Sequence, residues 1–420
     1  MLKPSFSKCL LVAACAISFF SGASQAQSVL RDNDLIALCG DSITEQKQYS
    51  VFIENYLTLC QPTPVKVMQF GWSGEASNGF LNRMESDVLR YKPTLATTCY
   101  GMNDGRYRAI DDATRTQYRE NTTNIVEKFQ KAGARVIVGS PGAVDTVTFN
   151  RDKPHMAPMY NNTLSVFRDE AQAVADKTGQ GFADVHQAML QVMTAAKEKL
   201  GPDYPVAGGD GVHPGPNGQL VMAYAFLKAM KLDGNIGTIN IDLVANTAVA
   251  TEGHQVVTTE SGKTTIESTR FPFCFVGDAA ATSSTISILP FLPFNQELNR
   301  LTLRASGPAE RYKVTWGSES RTYTADELKA GVNLAADFLK NPFLEHFDSV
   351  DKAVRAKQGF ETKAFKGISR GLAESRQELK NDVAIDAIFA AIQRRHDELT
   401  ADIAAAVKPV RHTITIEPEQ

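Results

Sequence analysis

Little in this chain of 420 residues is in excess, and several things are scarce. Charge of one sign is the first: 44 Lys and Arg stand against 47 Asp and Glu, a net charge of -3. A chain so balanced carries no broad basic field, so no nucleic-acid partner is expected. Cysteine is scarce as well, at 6 residues. There is no Cys-x-x-Cys, no His-Glu-x-x-His and no Walker loop, so neither a metal nor a nucleotide or other cofactor is expected. Beyond the N-terminus no apolar stretch is long enough to span a membrane, which excludes an integral membrane segment in the mature chain. Internal repeats and low-complexity linkers are missing too. At this length and with this ordinary composition, two or three globular domains are expected.

What is present begins with an address. Lys3 and Lys8 precede the apolar run Cys9 to Phe20, and Ser24-Gln25-Ala26 offers small residues for cleavage after Ala26. Residues 1–26 therefore read as a bacterial-type secretory signal, and the mature protein is expected in the periplasm or outside the cell. Val12-Ala13-Ala14-Cys15 is similar to a lipoprotein cleavage box, but the apolar run before Cys15 is short. Four cysteines remain after the signal: Cys39, Cys60, Cys99 and Cys274. Export permits disulfides. Cys39 and Cys99 fall in strand-like runs and read as buried thiols; a Cys60–Cys274 pairing is left open.

Residues 28–235 alternate short apolar runs with helical patterns, which predicts a parallel sheet with helices on both faces. The strands are expected at Leu35 to Cys39, Val65 to Phe70, Thr94 to Tyr100, Arg135 to Gly139 and Gly181 to Asp184. The helices are expected near Gln48 to Leu59, Gly79 to Arg90, around Tyr118 to Phe129, around Tyr160 to Val174, up to Leu200, and over Asn217 to Met230. Between them, Pro141 to Pro158 reads as a long loop, a feature that in compact domains is often functional. After Leu232 the texture changes. Residues 239–325 are rich in Thr, Ser and Val and predict a small antiparallel sandwich, with strands at Thr285 to Ile288 and Tyr312 to Trp316. Residues 325–410 read as mainly helical, and Thr413 to Ile416 as a terminal strand returning to the earlier β region. Trp316 and Phe271 to Phe275 read as core rather than as a sugar-binding surface. The accessory region 239–420 is expected to dock on the first domain and shape the approach to Ser42. Truncation after Leu232 would then spare turnover of small aryl acetates and reduce activity on polymer more.

Four points fall at strand ends or in a breaker-rich loop. Ser42 follows the first strand, Gly74 the second and Asn103 the third. Asp210 and His213 sit in Gly208-Gly209-Asp210-Gly211-Val212-His213-Pro214, before the last helix. If the strand order is 2-1-3-4-5, the first and third strands meet at the switch point where such sheets bind ligands. A serine hydroxyl needs a base to become a nucleophile, and His213 can serve. A base histidine needs an orienting acceptor, and Asp210 can supply it. A tetrahedral intermediate needs donors for its oxyanion: the N–H groups of Ser42 and Gly74 and the Asn103 amide. Each point has a plainer reading. Ser42-Ile43-Thr44-Glu45 is also a capping-box pattern. Gly71 to Gly74 and Asn103-Asp104-Gly105 are also turn chemistry. Asp210-x-x-His213 could be a surface loop or half of a metal site. Their joint occurrence at strand ends of one α/β domain favours the catalytic reading.

Gly40-Asp41-Ser42, Gly74, Gly101-x-Asn103-Asp104 and Asp210-x-x-His213 together resemble the four sequence blocks of the GDSL, or SGNH, hydrolases. The resemblance covers roughly residues 33–232. It implies a flavodoxin-like three-layer α/β/α sandwich without metal or cofactor. It also implies Ser42 as nucleophile, Gly74 and Asn103 as oxyanion donors, His213 as base and Asp210 as its orienting partner. The sequence departs from the pattern at Ile43, where the name motif has leucine, a position that packs rather than reacts. The function expected is a secreted serine esterase acting on short acyl esters, acetyl foremost, on a small-molecule or polysaccharide carrier. A lipase or thioesterase of the same superfamily, and a carbohydrate-binding protein with a relic esterase domain, are the alternatives. No amphipathic lid segment favours the lipase, and retention of all five residues speaks against a relic.

Overall fold

The computed structural model describes residues 28–150, 156–369, 371–372 and 382–419. The expected signal at 1–26, with its cleavage site and the box ending at Cys15, lies outside the described residues. In chain order the α/β half runs β1 (Asp34–Gly40), α1 (Ser42–Glu45), α2 (Tyr49–Leu59), β2 (Val65–Gln69), α3 (Ser77–Arg83), β3 (Leu95–Cys99), α4 (Asp112–Lys131), β4 (Arg135–Gly139), α5 (Met156–Thr178), β5 (Gly181–Ala183), α6 (Val185–Leu200) and α7 (Pro216–Ala229). The expected helix Gly79 to Arg90 begins earlier and breaks after Arg83 into a π-turn at Met84–Val88 and a 3-10 turn at Leu89–Tyr91.

The five strands β1–β5 form a parallel sheet in the order β2-β1-β3-β4-β5. Register is fixed by pairs such as Leu38↔Gln69 and Ile36↔Leu95. β1 and β3 are central, and helices cover both faces. α2, α6 and α7 pack together on one side, and α3, α4 and α5 on the other. That is why Leu35 to Cys39 reads as an unbroken apolar run rather than as an alternating one. The carboxyl ends of β1, β2 and β3 lie side by side and deliver Ser42, Gly74 and Asn103 to one rim.

The second half continues β6 (Asn235–Asp242), β7 (Thr247–Ala250), β8 (His254–Glu260), β9 (Lys263–Ser268), α8 (Thr285–Ile288), α9 (Phe294–Glu297), β10 (Arg300–Ser306), β11 (Arg311–Trp316), β12 (Glu319–Thr324), α10 (Ala325–Ala330), β13 (Val332–Asn333), α11 (Leu334–Asp337), α12 (Leu344–Lys363), α13 (Asp382–Ala406) and β14 (Val410–Pro418). A π-helical turn, Ala364–Ser369, follows α12 directly. Two sheets form here, β13-β10-β6-β7 and β12-β11-β14-β9-β8. The expectation of antiparallel strands throughout is corrected at one pair, because β6 and β10 run parallel. It is corrected again at Thr285–Ile288, which is helical. Ser284 caps that turn by accepting from the Ser287 N–H, and four alternating residues are too few to outweigh a cap. β14 lies between β9 and β11, in the middle of its sheet.

Trp316, Phe271, Phe273 and Phe275 are buried. Phe273 alone touches the rings of Phe52, Tyr56, Phe294 and Phe347, so the aromatic run ties the two halves together. Cys39, Cys60, Cys99 and Cys274 are all buried free thiols.

The halves share a polar seam as well. β2 is an edge strand, and its outward backbone groups meet α12 instead of water. Lys357 Nζ donates to Val67 O at 2.6 Å, and Gln69 N–H donates to Glu361 Oε2 at 2.9 Å. Lys357 is paired in turn with Glu361 at 2.6 Å and Glu54 at 3.1 Å, and His396 of α13 lies 2.8 Å from Glu361. Two helix side chains thus do for the end of β2, at Val67 and Gln69, what a sixth strand would do.

Candidate active site

β1 ends at Gly40, and the turn that follows is capped by Asp41 rather than by Ser42. Asp41 Oδ1 accepts the Ile43 N–H at 3.0 Å. Glu45, the last residue of the apparent capping box, turns away and accepts the Ser73 N–H at 2.5 Å. The Ser42 hydroxyl is therefore not spent on the helix. Its Oγ lies 2.9 Å from His213 Nε2.

His213 is held by its own loop. Its Nδ1 lies 2.7 Å from Asp210 Oδ2, and Asp210 Oδ1 accepts the N–H groups of Val212 and His213, each at 2.9 Å. Burial acts to raise the Asp210 pKa, but these hydrogen bonds outweigh it and hold the carboxyl below its ordinary value. The loop is pinched at Gly208, where φ is +80° and a Cβ would stand 1.9 Å from His213 O. Only glycine fits there. The loop after β4 braces it from outside: Asp145 N–H donates to Gly211 O at 2.8 Å, and Thr148 Oγ1 donates to Gly208 O at 3.2 Å. Asp145 is itself fully buried and paired with Lys197 at 2.9 Å. This brace was not named from the sequence, although its loop was singled out as functional in character.

Asn103 and Gly74 complete the rim. Asn103 Nδ2 donates to Glu75 O at 3.1 Å and lies 3.5 Å from Asp41 Oδ2. Asp104 fixes that turn by accepting the N–H groups of Gly101 and Ser77, each at 3.0 Å. Gly74 is exposed, with φ at +74° and nothing within 4 Å of where a Cβ would stand. Next to it Glu75 is buried against Arg83, at 2.6 Å, and the Tyr100 hydroxyl, at 3.0 Å. Burial pushes the Asp41 carboxyl up to about 7. Asp104 and Glu75 add to the rise, while the Ile43 N–H and His213 oppose it. Asp145 and the acceptor role of Glu45 carry no motif of their own, since each acts through residues distant in sequence.

Two cavities flank this rim and share Ala76 and Asn78. One, of about 530 Å³, runs from Gly74 past Trp72, Asn82 and Ser86. The other, of about 380 Å³, runs from Asn103 past Arg106, Gln117 and Asn121. The Tyr107 ring stands near both Asp41 and Asp210, and burial first, then their charges, raise its pKa. Among the described residues no group of three or more His, Cys, Asp or Glu side chains gathers where a metal could be held. Among the same residues no helix is long and apolar enough to cross a membrane.

Residues 38–221 match the model of the GDSL-like lipase/acylhydrolase family. No curated protein matches the chain. The solved structure of a gut microbial diltiazem-metabolizing enzyme aligns over 94% of this chain and 100% of its own, at 21% identity and a TM-score of 0.72. The architecture therefore recurs through both halves. An acetylxylan esterase from Geobacillus stearothermophilus aligns over 48% of this chain and 96% of its own, at 19% identity and a TM-score of 0.39. An α/β hydrolase from the metagenome of Lake Arreo, Spain, aligns over 48% and 96%, at 20% identity and a TM-score of 0.40.

Proposed function

We propose that the chain, whose residues 38–221 match the GDSL-like lipase/acylhydrolase family, is a carboxylic-ester hydrolase that removes short acyl groups, acetyl foremost, from hydroxyl-rich carbohydrate, with Ser42 as nucleophile. The observation that carries the reading is the continuous line from Ser42 Oγ to His213 at 2.9 Å and on to Asp210 at 2.7 Å.

Along that line His213 Nε2 takes the Ser42 proton as Oγ attacks the ester carbonyl carbon. Asp210 keeps the proton on Nδ1 and so fixes the tautomer that can accept at Nε2. The carbonyl oxygen becomes an oxyanion beside three donors: Ser42 N–H, Gly74 N–H and Asn103 Nδ2. Ser42 N–H opens its helical turn and has no intrahelical acceptor to compete for it. Collapse breaks the ester bond, and the leaving alcohol takes the proton from His213. Water, deprotonated by the same ring, then hydrolyses the acyl-serine and releases the acid.

The carbohydrate reading is supported by the two cavities. Their walls carry Asn78, Asn82, Ser86, Gln117 and Asn121, short polar groups suited to several hydroxyls at once. Export is supported by the sequence of residues 1–26 and would place the enzyme where polysaccharide is met.

The test is acetate release across a panel of acetylated polysaccharides, beside p-nitrophenyl esters of rising chain length. Turnover should be highest for acetyl and fall as the chain lengthens. Rates that rise with chain length would make the enzyme a lipase instead. Ser42→Ala should lower kcat by about 10⁶. More than a few per cent of activity left in the folded variant would remove Ser42 from the mechanism.

A further inference from the structure

Gly74 lies in a turn that the Glu75 N–H closes onto Trp72 O at 3.1 Å, so its position is set from both sides, by the anchored Glu75 after it and by the residues before it. Those earlier residues are gripped from the other half of the chain. Gln69 N–H donates to Glu361, and the Gln69 side-chain amide donates to Thr362 Oγ1 at 3.0 Å. The Phe70 ring stacks on Phe365 with centroids 4.5 Å apart. Ser73 N–H donates to Glu45 Oε2, and both oxygens of that carboxylate receive Lys366 Nζ, at 2.9 and 2.8 Å. Lys366 Nζ also lies 5.0 Å from the centre of the Trp72 ring. Lys366 belongs to the π-helical turn that follows α12, an irregularity often found at functional positions.

We infer that the stretch 361–366 sets the shape of the loop bearing Gly74, and that Lys366 is a positioning residue for the oxyanion site. The inference rests on Gly74 being an oxyanion donor, as proposed above. The Trp72 N–H still bonds to Gly40 O at 3.0 Å, so the β1 end steers the loop that far. Beyond it the Glu45 carboxylate supports the loop at Ser73, one residue before Gly74, and Glu75 supports it from the far side. Glu45 and Lys366 are largely covered, at 19% and 30% side-chain exposure. Burial acts to raise the Glu45 pKa, and the bonds from Lys366 and Ser73 more than reverse it. Without its cation the carboxylate turns to water and lets Ser73 go, and an oxyanion donor displaced by a fraction of an ångström stabilises the transition state less. Binding of an ester too small to fill the cavity that Trp72, Ser73 and Gly74 line is left as it was.

The test uses the full chain with Lys366→Met, Lys366→Arg, Glu45→Ala and the Glu45→Ala/Lys366→Met double variant, beside Ser42→Ala. With p-nitrophenyl acetate, Lys366→Met should lower kcat about 10- to 100-fold with KM within about twofold, and Lys366→Arg should recover most of the rate. An alkylboronic acid, which forms a tetrahedral adduct on a nucleophilic serine, should lose affinity by the same factor as kcat. Glu45→Ala should match Lys366→Met, and the double variant should lose no more than either alone. Unchanged kcat and boronate affinity in Lys366→Met, or a change in KM alone, would overturn the inference. If Lys366→Met does not fold, Glu45→Ala decides by the same two readouts. An active Ser42→Ala would fell the proposed function itself; an inactive one beside an unaffected Lys366→Met fells only this inference.

Discussion

A hydroxyl and an imidazole drawn from positions 171 residues apart meet at 2.9 Å on one rim of the sheet. Asn103 stands beside them with one amide already directed at Glu75 O and Asp41. As an oxyanion donor it should act in the transition state more than in binding. Asn103→Ala should therefore lower kcat by about 10²–10³ with little change in KM, measured on p-nitrophenyl acetate. A change in KM alone would make Asn103 a binding residue. The pH profile follows from Asp210. Hydrogen bonds hold its carboxyl below the ordinary range, so it stays ionised where a free carboxylate would take up a proton. Asp210 should therefore add no step to the acid limb of kcat/KM in the ordinary carboxylate range. A step there would mean that Asp210 titrates as a free carboxylate. These residues were legible because each sits at a strand end or in a tight loop whose turn chemistry is local. Glu45 was not: it looked like a partner for Ser42, and its cation lies 321 residues away. No window of sequence contains both.

At the scale of elements, β1 was readable because burial on both faces leaves a continuous apolar signature. β2 is a different case. Its sequence says strand, yet nothing in Val65–Gln69 says what covers its outer edge. The cover is Lys357 and Glu361, buried charges that a helical pattern gives no reason to place inward. Breaking a buried pair by removing one partner costs about 3–5 kcal/mol. Lys357→Met would leave Glu54 and Glu361 facing each other without a cation and Val67 O without its donor. It should lower stability by about that amount in urea unfolding and promote aggregation through the freed edge. An unchanged midpoint would show that the seam is dispensable. Thr285–Ile288 failed for the opposite reason. There a local signal, the Ser284 cap, was present and was outvoted by an alternation too short to carry weight.

The whole molecule is less divisible than its sequence suggests. The proposed catalytic positions are complete by His213, and a cut after Leu232 looked like a fair division of labour. The structure argues otherwise. Such a cut removes α12 from the β2 edge, Phe273 from its aromatic neighbours and Lys366 from Glu45. The fragment should be insoluble or inactive on p-nitrophenyl acetate as well as on polymer. A soluble fragment that kept aryl acetate turnover would restore the original division.

One arrangement bears on the order in which such a chain comes to life. β14 threads between β9 and β11, so residues 263–268 and 311–316 cannot be joined until residues 410–418 have been made. The ribosome releases the chain from its N-terminus, and the three strand ends with Ser42, Gly74 and Asn103 emerge long before that. During that interval a nascent esterase would have its chemical groups without the frame that tunes them. Hydrolytic competence would then arrive late, as a property of the finished polypeptide, and a chain stalled before residue 410 would be a harmless one.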